Sequence, residues 1–492
     1  MLQHLSVKQN STSRPLRNLE TFFKVLADVG KPLRREHWTI HMTLHLAFPA
    51  SVSDPTAYLR RAWQVLHYQH PALGAVTSQN NSTAYITVEK LDEDVWANNT
   101  FTVYPDYKGT EELFSCLYPT ATATCYWLPT PSKLVIRSSH WRIDGVGMAM
   151  LSHDFMVALA AVLRLGHDAS LDSLMPGLEH RHPLAPSLEE LALAQSRFPK
   201  LPKGEENPIL ATGADNLVAR FLRGVPSIGL PTRPNSEQSN PGASGCAVTH
   251  LDAVTTVKIR AACRNKNIKV TSAIHAAIIR VTSTFPQHPL SKSYAAFVPI
   301  DLRRALDITA SSEVKTLSKV VGLYFSGLPV CVDSVLPGAT NNTKTFEDVA
   351  RDLDAVYGSD ILQFWGPDHE NTERIGLLDL VEPYVRRTTA LFGAHIPEGF
   401  PPVQTPDLST LGKVDMYLQK YYDAGEHENV EVIDFWLGTE MLNRSVQFHT
   451  WSWKDEFNLG ACFNLSFYDN EFIIDVLNKV IDGLLVGCGI SK

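Results

Sequence analysis

The sequence predicts a two-domain protein of the α/β or α+β class, and three observations carry that prediction. The chain has 492 residues, more than one hydrophobic core ordinarily serves. Strand-like and helix-like periodicities are mixed in both halves. Between the halves, residues 171–244 turn rich in Pro, Gly, Ser and Asn, as in "MPGLEHRHPLAPS" and "GLPTRPNSEQSNPGASG", which reads as a crossover linker holding one short helix, "LEELALAQSRF". The expected division is an N-terminal domain over 1–170, the linker over 171–244 and a C-terminal domain over 245–492.

In the first half, "EHWTIHMTLHLAF" alternates. Trp38, Ile40, Met42, Leu44 and Leu46 point one way, and Thr39, His41, Thr43 and His45 the other, the pattern of a half-buried strand. "DPTAYLRRAWQVLHYQHPALGA" follows, with an Asp cap, Pro55 in the first turn, and Tyr58, Trp63 and Leu66 at roughly helical spacing. "TAYITVEKL" reads as a strand. "KLVIRSSH" reads as a strand entering a tight turn, and "MAMLSHDFMVALAAVLRLG" as a strongly apolar helix closed by Gly166. The second half opens with the strand "CAVTHLD" and two helices, "AVTTVKIRAACRNKNI" and "VTSAIHAAIIRVTSTF". "SYAAFVPIDLRRAL", "VVGLYFSGLPVCV", "VEVIDFWLG" and "SVQFHTWSWKDEFNLGACFNLSF" are strand-rich, and "NEFIIDVLNKVIDGLLVG" is a last helix.

Composition narrows the function classes. Hydrophobic residues make up 44% and charged residues 20%, the balance of a soluble globular chain. A formal net charge of -8 gives no electrostatic reason to expect a nucleic-acid partner, although it permits a local basic tunnel. Seven cysteines are widely spread without a C-x-x-C, which favours free thiols in a reducing compartment. The opening "MLQHLSVKQNSTSRPLRN" has no apolar core for a signal peptide. No run approaches 18 apolar residues, so no membrane-spanning helix is expected. Together these point to a cytoplasmic chain.

The stretch that carries chemistry is "SSHWRIDGVG", residues 138–147. His140 and Asp144 are four apart, followed by Gly145 and Gly147. From composition alone, a chance H-x3-D-G match is expected about 0.05 times. The motif sits at a strand end before a helix, where the strand holds the backbone and the turn exposes a side chain. A satisfied surface histidine is the bland alternative.

With that motif the sequence resembles the superfamily of CoA-dependent acyltransferases that includes chloramphenicol acetyltransferase, the plant BAHD acyltransferases and peptide-synthetase condensation domains. His140, Asp144 and Gly145 match its H-x-x-x-D-G signature. Ser139 stands where condensation domains usually carry a second His, a departure that leans away from amide formation. "VTSAIHAA" at 270–277 is similar to the helix opening the family's second half, and "FVPIDLRR" at 297–304 to its strand ending in D-x-R. "VGLYFS" at 321–326 resembles its G-N-x-F segment, with Leu323 where Asn is commoner. "DFWLG" at 434–438 keeps the frame of the BAHD motif D-F-G-W-G but not its interior. "HLDAVTTVKIRAACRNKNIKVTSAIHAA" and "PSIGLPTRP" are closer still to fungal acyltransferases of secondary metabolism, of the trichothecene 15-O-acetyltransferase kind. The resemblance covers the chain from about residue 20 to about residue 487.

The resemblance implies α/β architecture in two similar subdomains, each a mixed sheet flanked by helices, with the active site in a tunnel between them. It implies O-acyl transfer, with acetyl as the expected group, from an acyl-CoA co-substrate to a hydroxyl of a hydrophobic metabolite such as a sesquiterpenoid. No metal is expected, and the chain is expected to act as a monomer. His140 is the expected general base, since neutral imidazole suits proton abstraction near pH 7. No serine or cysteine nucleophile is needed, so transfer is direct. In the family the equivalent of Asp144 turns from the imidazole and pairs with an Arg of the second half, which corresponds to Arg303. Asp434 is expected to support the site structurally. Thr450, Trp451 and Ser452 are weak candidates for oxyanion or substrate contact. The cations of "KIRAACRNKNIK" and "DLRR" are the pool from which CoA phosphates would draw. Two rivals share the motif: a carrier-protein-dependent condensation or release enzyme, and a member repurposed for cyclisation or elimination. A non-enzymatic binding module ranks below both, because His140, Asp144 and Arg303 occur together.

Other signals read as structural. His37, His41 and His45 suggest a metal face only on a helix, and their surroundings are β-rich. His153 reads as a packed helix residue. Phe435, Trp436, Trp451 and Trp453 read as core, with an apolar substrate wall as the lesser reading.

Overall fold

In a computed structural model, the described residues are 13–490 apart from 81–82, 90–91, 176–183, 197, 200, 203–204, 237, 310–320, 338–342 and 359–374. The fold is mixed α/β, and it divides into two compact units. Unit one takes Met1–Ser187, Lys319–Tyr324 and Val414–Thr439; unit two takes Leu188–Ser318, Phe325–Lys413 and Glu440–Lys492. The division differs from the expected boundaries at 170 and 245. Two late segments return to unit one, and the stretch read as a linker contains a 15-residue helix, Pro208–Leu222.

Unit one begins with β1 (Ser13–Pro15) and α1 (Asn18–Asp28), and its main sheet has six strands. At its centre β2 (Ile40–Ala47) pairs antiparallel with β7 (Lys133–Ser138). α2 (Thr56–Gln69) follows β2, and β3 (Val76–Asn80) and β4 (Thr83–Thr87) form a small sheet with β1. α3 (Glu93–Thr100) leads into β5 (Phe101–Val103), which pairs parallel with β6 (Thr124–Leu128), and β6 pairs antiparallel with β7. On the other side of β2 lies β13 (Glu428–Thr439), followed by β12 (Tyr421–Gly425).

The alternation in β2 predicts one wet face, yet both are buried. Met42 and Leu44 are fully inaccessible, and His41 and Thr43 are also buried. The apolar side meets α5 (Gly145–Leu165). On the polar side, His41 packs on Phe114 of α4 (Thr110–Cys116) at 4.1 Å and on Trp436 of β13 at 4.8 Å between ring centroids. α5 also packs along α2. By length and composition α5 could cross a membrane, and 67% of its apolar window is buried inside the protein. Gly166 ends it at φ +91°, a left-handed conformation that glycine adopts freely. α6 (Leu171–Leu174) closes this part.

Unit two starts with α7 (Leu188–Gln195) and α8 (Pro208–Leu222). Its four-stranded sheet runs β11 (Asp407–Lys413), β14 (Gln447–Trp453), β15 (Glu456–Asn464), β8 (Ser244–Leu251). β9 (Tyr294–Asp301) and β10 (Phe325–Val332) form a separate antiparallel pair, with α11 (Arg303–Thr309) directly after β9. α9 (Ala253–Asn265) and α10 (Val270–Thr282) lie where the sequence predicts helices, with Asp252 capping α9. α12 (Phe346–Tyr357) and α14 (Asn470–Gly487) pack on α10, while α13 (Val381–Phe392) packs on α8. Ile274, Ile278, Val298, Phe448, Leu459 and Leu477 belong to one buried core. Each such side chain contributes about 1.5–3 kcal/mol when fully buried.

Candidate active site

The turn carrying His140 is built entirely within unit one. β7 delivers the chain to Ser138, and Asp144 starts α5 as its N-cap. Arg142 rivets the turn between them. Its guanidinium donates to Ser138 Oγ at 3.1 Å and to the carbonyls of Ala75 at 2.7 Å and Ala121 at 3.1 Å. Burial lowers the Arg142 pKa to about 10, and nearby Glu36 opposes that shift. Glu36 is itself buried, which raises its pKa, while a hydrogen bond with the Ser139 side chain pulls it down.

Asp144 works as a clamp. Its Oδ1 accepts from Gly147 N at 2.7 Å, satisfying a free donor of the first helical turn. Its Oδ2 accepts from Tyr324 N at 2.7 Å, and its own backbone N–H donates to the Gly322 carbonyl at 3.1 Å. Residues 321–324, expected to be part of a strand, instead come back to unit one and close on the motif; β10 begins only at Phe325. This approach explains the second glycine of D-G-x-G. A Cβ on Gly147 would meet the Gly322 carbonyl oxygen at 2.9 Å and Ile143 at 2.8 Å.

The His140 imidazole lies flat on Phe23 of α1, with centroids 4.5 Å apart and planes 15° off parallel. Phe23 leans on Trp38 at 5.7 Å, and Trp38 stacks on His37 at 4.7 Å. Trp38 holds φ +59°, a left-handed conformation costly for a bulky residue and found where surrounding structure over-determines it. Burial depresses the pKa of His140, opposed by a bond to its own backbone carbonyl and by the charge of Asp144. His37 is pushed to about 3, first by burial and then by His140. Both rings are therefore neutral at pH 7. Dense protein surrounds His140, yet it keeps some open surface, as a base that must meet a substrate requires.

The other predicted residues lie on the following elements. Arg303, at the start of α11 in unit two, is buried, and its guanidinium donates to Asp301 Oδ1 at 2.9 Å. Asp434 sits beside a register shift of β13 against β2, and its Oδ1 accepts from Phe435 N at 2.8 Å. In "DFWLG" the last glycine admits Trp436: a Cβ on Gly438 would lie 2.4 Å from that indole. Thr450, Trp451 and Ser452 are on β14; Thr450 is opposite Leu459, whose side chain is in the core of unit two, and Trp451 is opposite Asn458. The four aromatics grouped in the sequence fall on two strands, Phe435 and Trp436 on β13, Trp451 and Trp453 on β14. His153 is 2.9 Å from the Tyr422 hydroxyl through Nδ1. Among the described residues, no group of three or more His, Cys, Asp and Glu side chains is placed to hold a metal.

Sequence reasoning missed the frame around the base: Phe23, Glu36, His37, Trp38, Arg142 and the 321–324 segment. Arg142 lies inside the quoted motif and residues 321–324 inside the "VGLYFS" match, and "EHW", a charged and aromatic run just before a strand, is the one further signal.

No family model matches the chain. It is 29% identical, over 98% of its length and 96% of the relative's, to the loline biosynthesis cluster 1 transcription factor lolU1 of Epichloe uncinata. It is 27% identical, over 94% of its length and 82% of the relative's, to the O-acetyltransferase pigM of Monascus ruber. Among solved structures it is similar to the TRI3 trichothecene 15-O-acetyltransferase of Fusarium sporotrichioides, with a TM-score of 0.74 at 16% identity, covering 96% of this chain and 95% of that one.

Proposed function

We propose that the chain is a member of the superfamily of chloramphenicol acetyltransferase, BAHD acyltransferases and condensation domains, whose fold it shares, and that it is an acyl-CoA-dependent O-acyltransferase of fungal secondary metabolism. The observation that carries the reading is His140: a neutral imidazole at a strand end, stacked on Phe23, in a turn held by Asp144 and Arg142. Such a base removes the proton of an acceptor hydroxyl as its oxygen attacks the thioester carbonyl. The carbon–sulfur bond then breaks, and the imidazolium returns the proton to the departing CoA thiolate. The acceptor we propose is a hydroxyl of a hydrophobic metabolite of the trichothecene-like sesquiterpenoid kind, and the donor acetyl-CoA. The experiment is incubation with acetyl-CoA and a panel of such alcohols, following free CoA thiol and acylated product. We expect saturation between about 1 μM and 1 mM acetyl-CoA. If acetyl-CoA neither binds in a calorimetric titration nor releases CoA with any alcohol, the reading fails. Turnover of the same alcohols without any acyl donor would favour the repurposed alternative, and acylation from a carrier-protein thioester the carrier-dependent one.

The depressed pKa of His140 sets the pH profile. A general base works only when unprotonated, so kcat/KM falls as pH drops through its pKa. Burial places that pKa below the ordinary imidazole value of about 6.5. At pH 6.5 the enzyme should therefore keep more than half of its plateau kcat/KM. An acidic limb centred at or above 6.5 would remove this environment from the account.

A second reading, transcriptional regulation, is favoured by the description of lolU1, and of a second relative matching 26% of the chain, as transcription factors. It requires DNA affinity that weakens with salt. The formal charge of -8 offers no such field. A mobility-shift titration showing salt-sensitive DNA binding, with no acyl transfer, would put this reading first.

A further inference from the structure

Cys263 and Cys488 are far apart in sequence and neighbours in unit two. Cys263 lies on α9, and Cys488 caps the C-terminal end of α14. Their Sγ atoms are 3.9 Å apart and share a hydrogen bond. The two residues are 1% and 6% exposed. Lys266, one turn beyond Cys263, is 2.8 Å from Glu347. Neither Cys263 nor Cys488 is in a disulfide, and the acyl transfer proposed above uses no cysteine.

We propose that Cys263 and Cys488 are a dithiol modification site that takes a low-molecular-weight disulfide, such as oxidised glutathione, and closes into an intramolecular disulfide joining α9 to the end of α14. A disulfide needs its sulfurs about 2.05 Å apart, so closure brings them together by about 2 Å. The end of α14 supplies the movement. Cys488 lies past the last helical residue, in a turn held by Gly489 N donating to the Val486 carbonyl and Ile490 N to the Leu485 carbonyl, both at 2.9 Å. Helix ends of this kind open locally at little cost, which exposes Cys488 before Cys263.

Position assigns the order: Cys488 lies past the last residue of α14, at the end that opens first, whereas Cys263 sits within α9. Cys488 is thus the attacking thiolate and Cys263 the resolving thiol. Cys488 gives its proton to solvent and attacks one sulfur of oxidised glutathione. That disulfide breaks, and one glutathione thiolate leaves and is protonated. Cys263 then attacks Cys488 Sγ, loses its proton, and expels the second glutathione. Two protein thiols are oxidised, and one glutathione disulfide is reduced to two thiols. The bridge closes a long loop and constrains the unfolded chain, so the oxidised form should melt higher.

The test uses the full chain. It is incubated with oxidised glutathione, denatured, alkylated with iodoacetamide, digested without reductant and mapped by mass spectrometry. We expect two of the seven thiols to escape alkylation, a linked peptide pair joining Cys263 to Cys488, and a melting temperature several degrees higher that dithiothreitol reverses. Cys263→Ser and Cys488→Ser should each abolish the link. Cys246 and Cys462, opposite each other on β8 and β15, are the internal control. Seven alkylated thiols, a glutathione adduct on Cys488 that never resolves, or a bridge between Cys246 and Cys462 in place of the expected one would each overturn the proposal. The mapping of the wild-type chain decides the matter even where a serine variant fails to fold.

Discussion

Replacing His140 with alanine should lower turnover by about 10²–10⁴-fold, the contribution of a positioned acid–base group, with the fold intact. The imidazole stacks on Phe23 and sits in a turn whose other members anchor themselves through Ser138, Ala75, Ala121 and Tyr324. Removing the ring therefore takes away the base and leaves the scaffold. The loss should appear in kcat with KM little changed, because the proton is moved only in the transition state. Single-turnover measurement of acyl transfer, alongside a thermal melt, checks this. His140→Gln keeps most of the side-chain volume and should be equally impaired, which separates loss of the base from loss of packing. Turnover within a few-fold of wild type in both variants would sink the assignment. A match of His37→Gln to His140→Ala at unchanged stability would move the base to His37.

Asp144→Ala should destabilise unit one by about 1.5–5 kcal/mol. The estimate combines loss of a helix N-cap, about 0.5–2 kcal/mol, with the penalty for a second buried donor left unpaired, about 1–3 kcal/mol. Those donors are Gly147 N and Tyr324 N, each 2.7 Å from the carboxylate, which is itself buried. Asp144→Asn should cost less, since its amide oxygen can still serve one of the two. Both variants should also lose activity, because releasing residues 321–324 loosens the turn that aims His140. Urea denaturation gives the stabilities. An alanine variant within about 1 kcal/mol of wild type would show that the clamp does not hold the motif.

How far these features were legible depends on how local their causes are. The strand before the motif, α5 after it, its Gly166 stop, and α9, α10 and α14 were readable, because near neighbours in sequence set their periodicity and caps. α8 was missed although Asn207 caps it through bonds to Ile209 N and Leu210 N, and Pro208 opens it. That Asn-Pro signal was masked by the Pro- and Gly-rich composition on both sides. β2 was read as half-wet because its alternation reports chemical character and not cover. Phe114 and Trp436, remote in sequence, bury its polar side. α5 is apolar enough on average to cross a membrane although His153 and Asp154 interrupt its apolar run, and packing inside the protein accounts for that character.

By itself the sequence determined the chemistry available: H-x3-D-G at a strand-to-helix turn, mixed strands and helices in both halves, and a resemblance consistent with the architecture found. Each of these is written in residues adjacent along the chain, where spacing is geometry. Only the tertiary structure decided that β12 and β13 complete the first sheet, that residues 321–324 close on Asp144, that Phe23 and Trp38 frame His140, and that Cys263 meets Cys488. Such meetings depend on which apolar faces bury one another across hundreds of residues. That choice is collective, made by the free energy of whole cores, and leaves no mark at any single position.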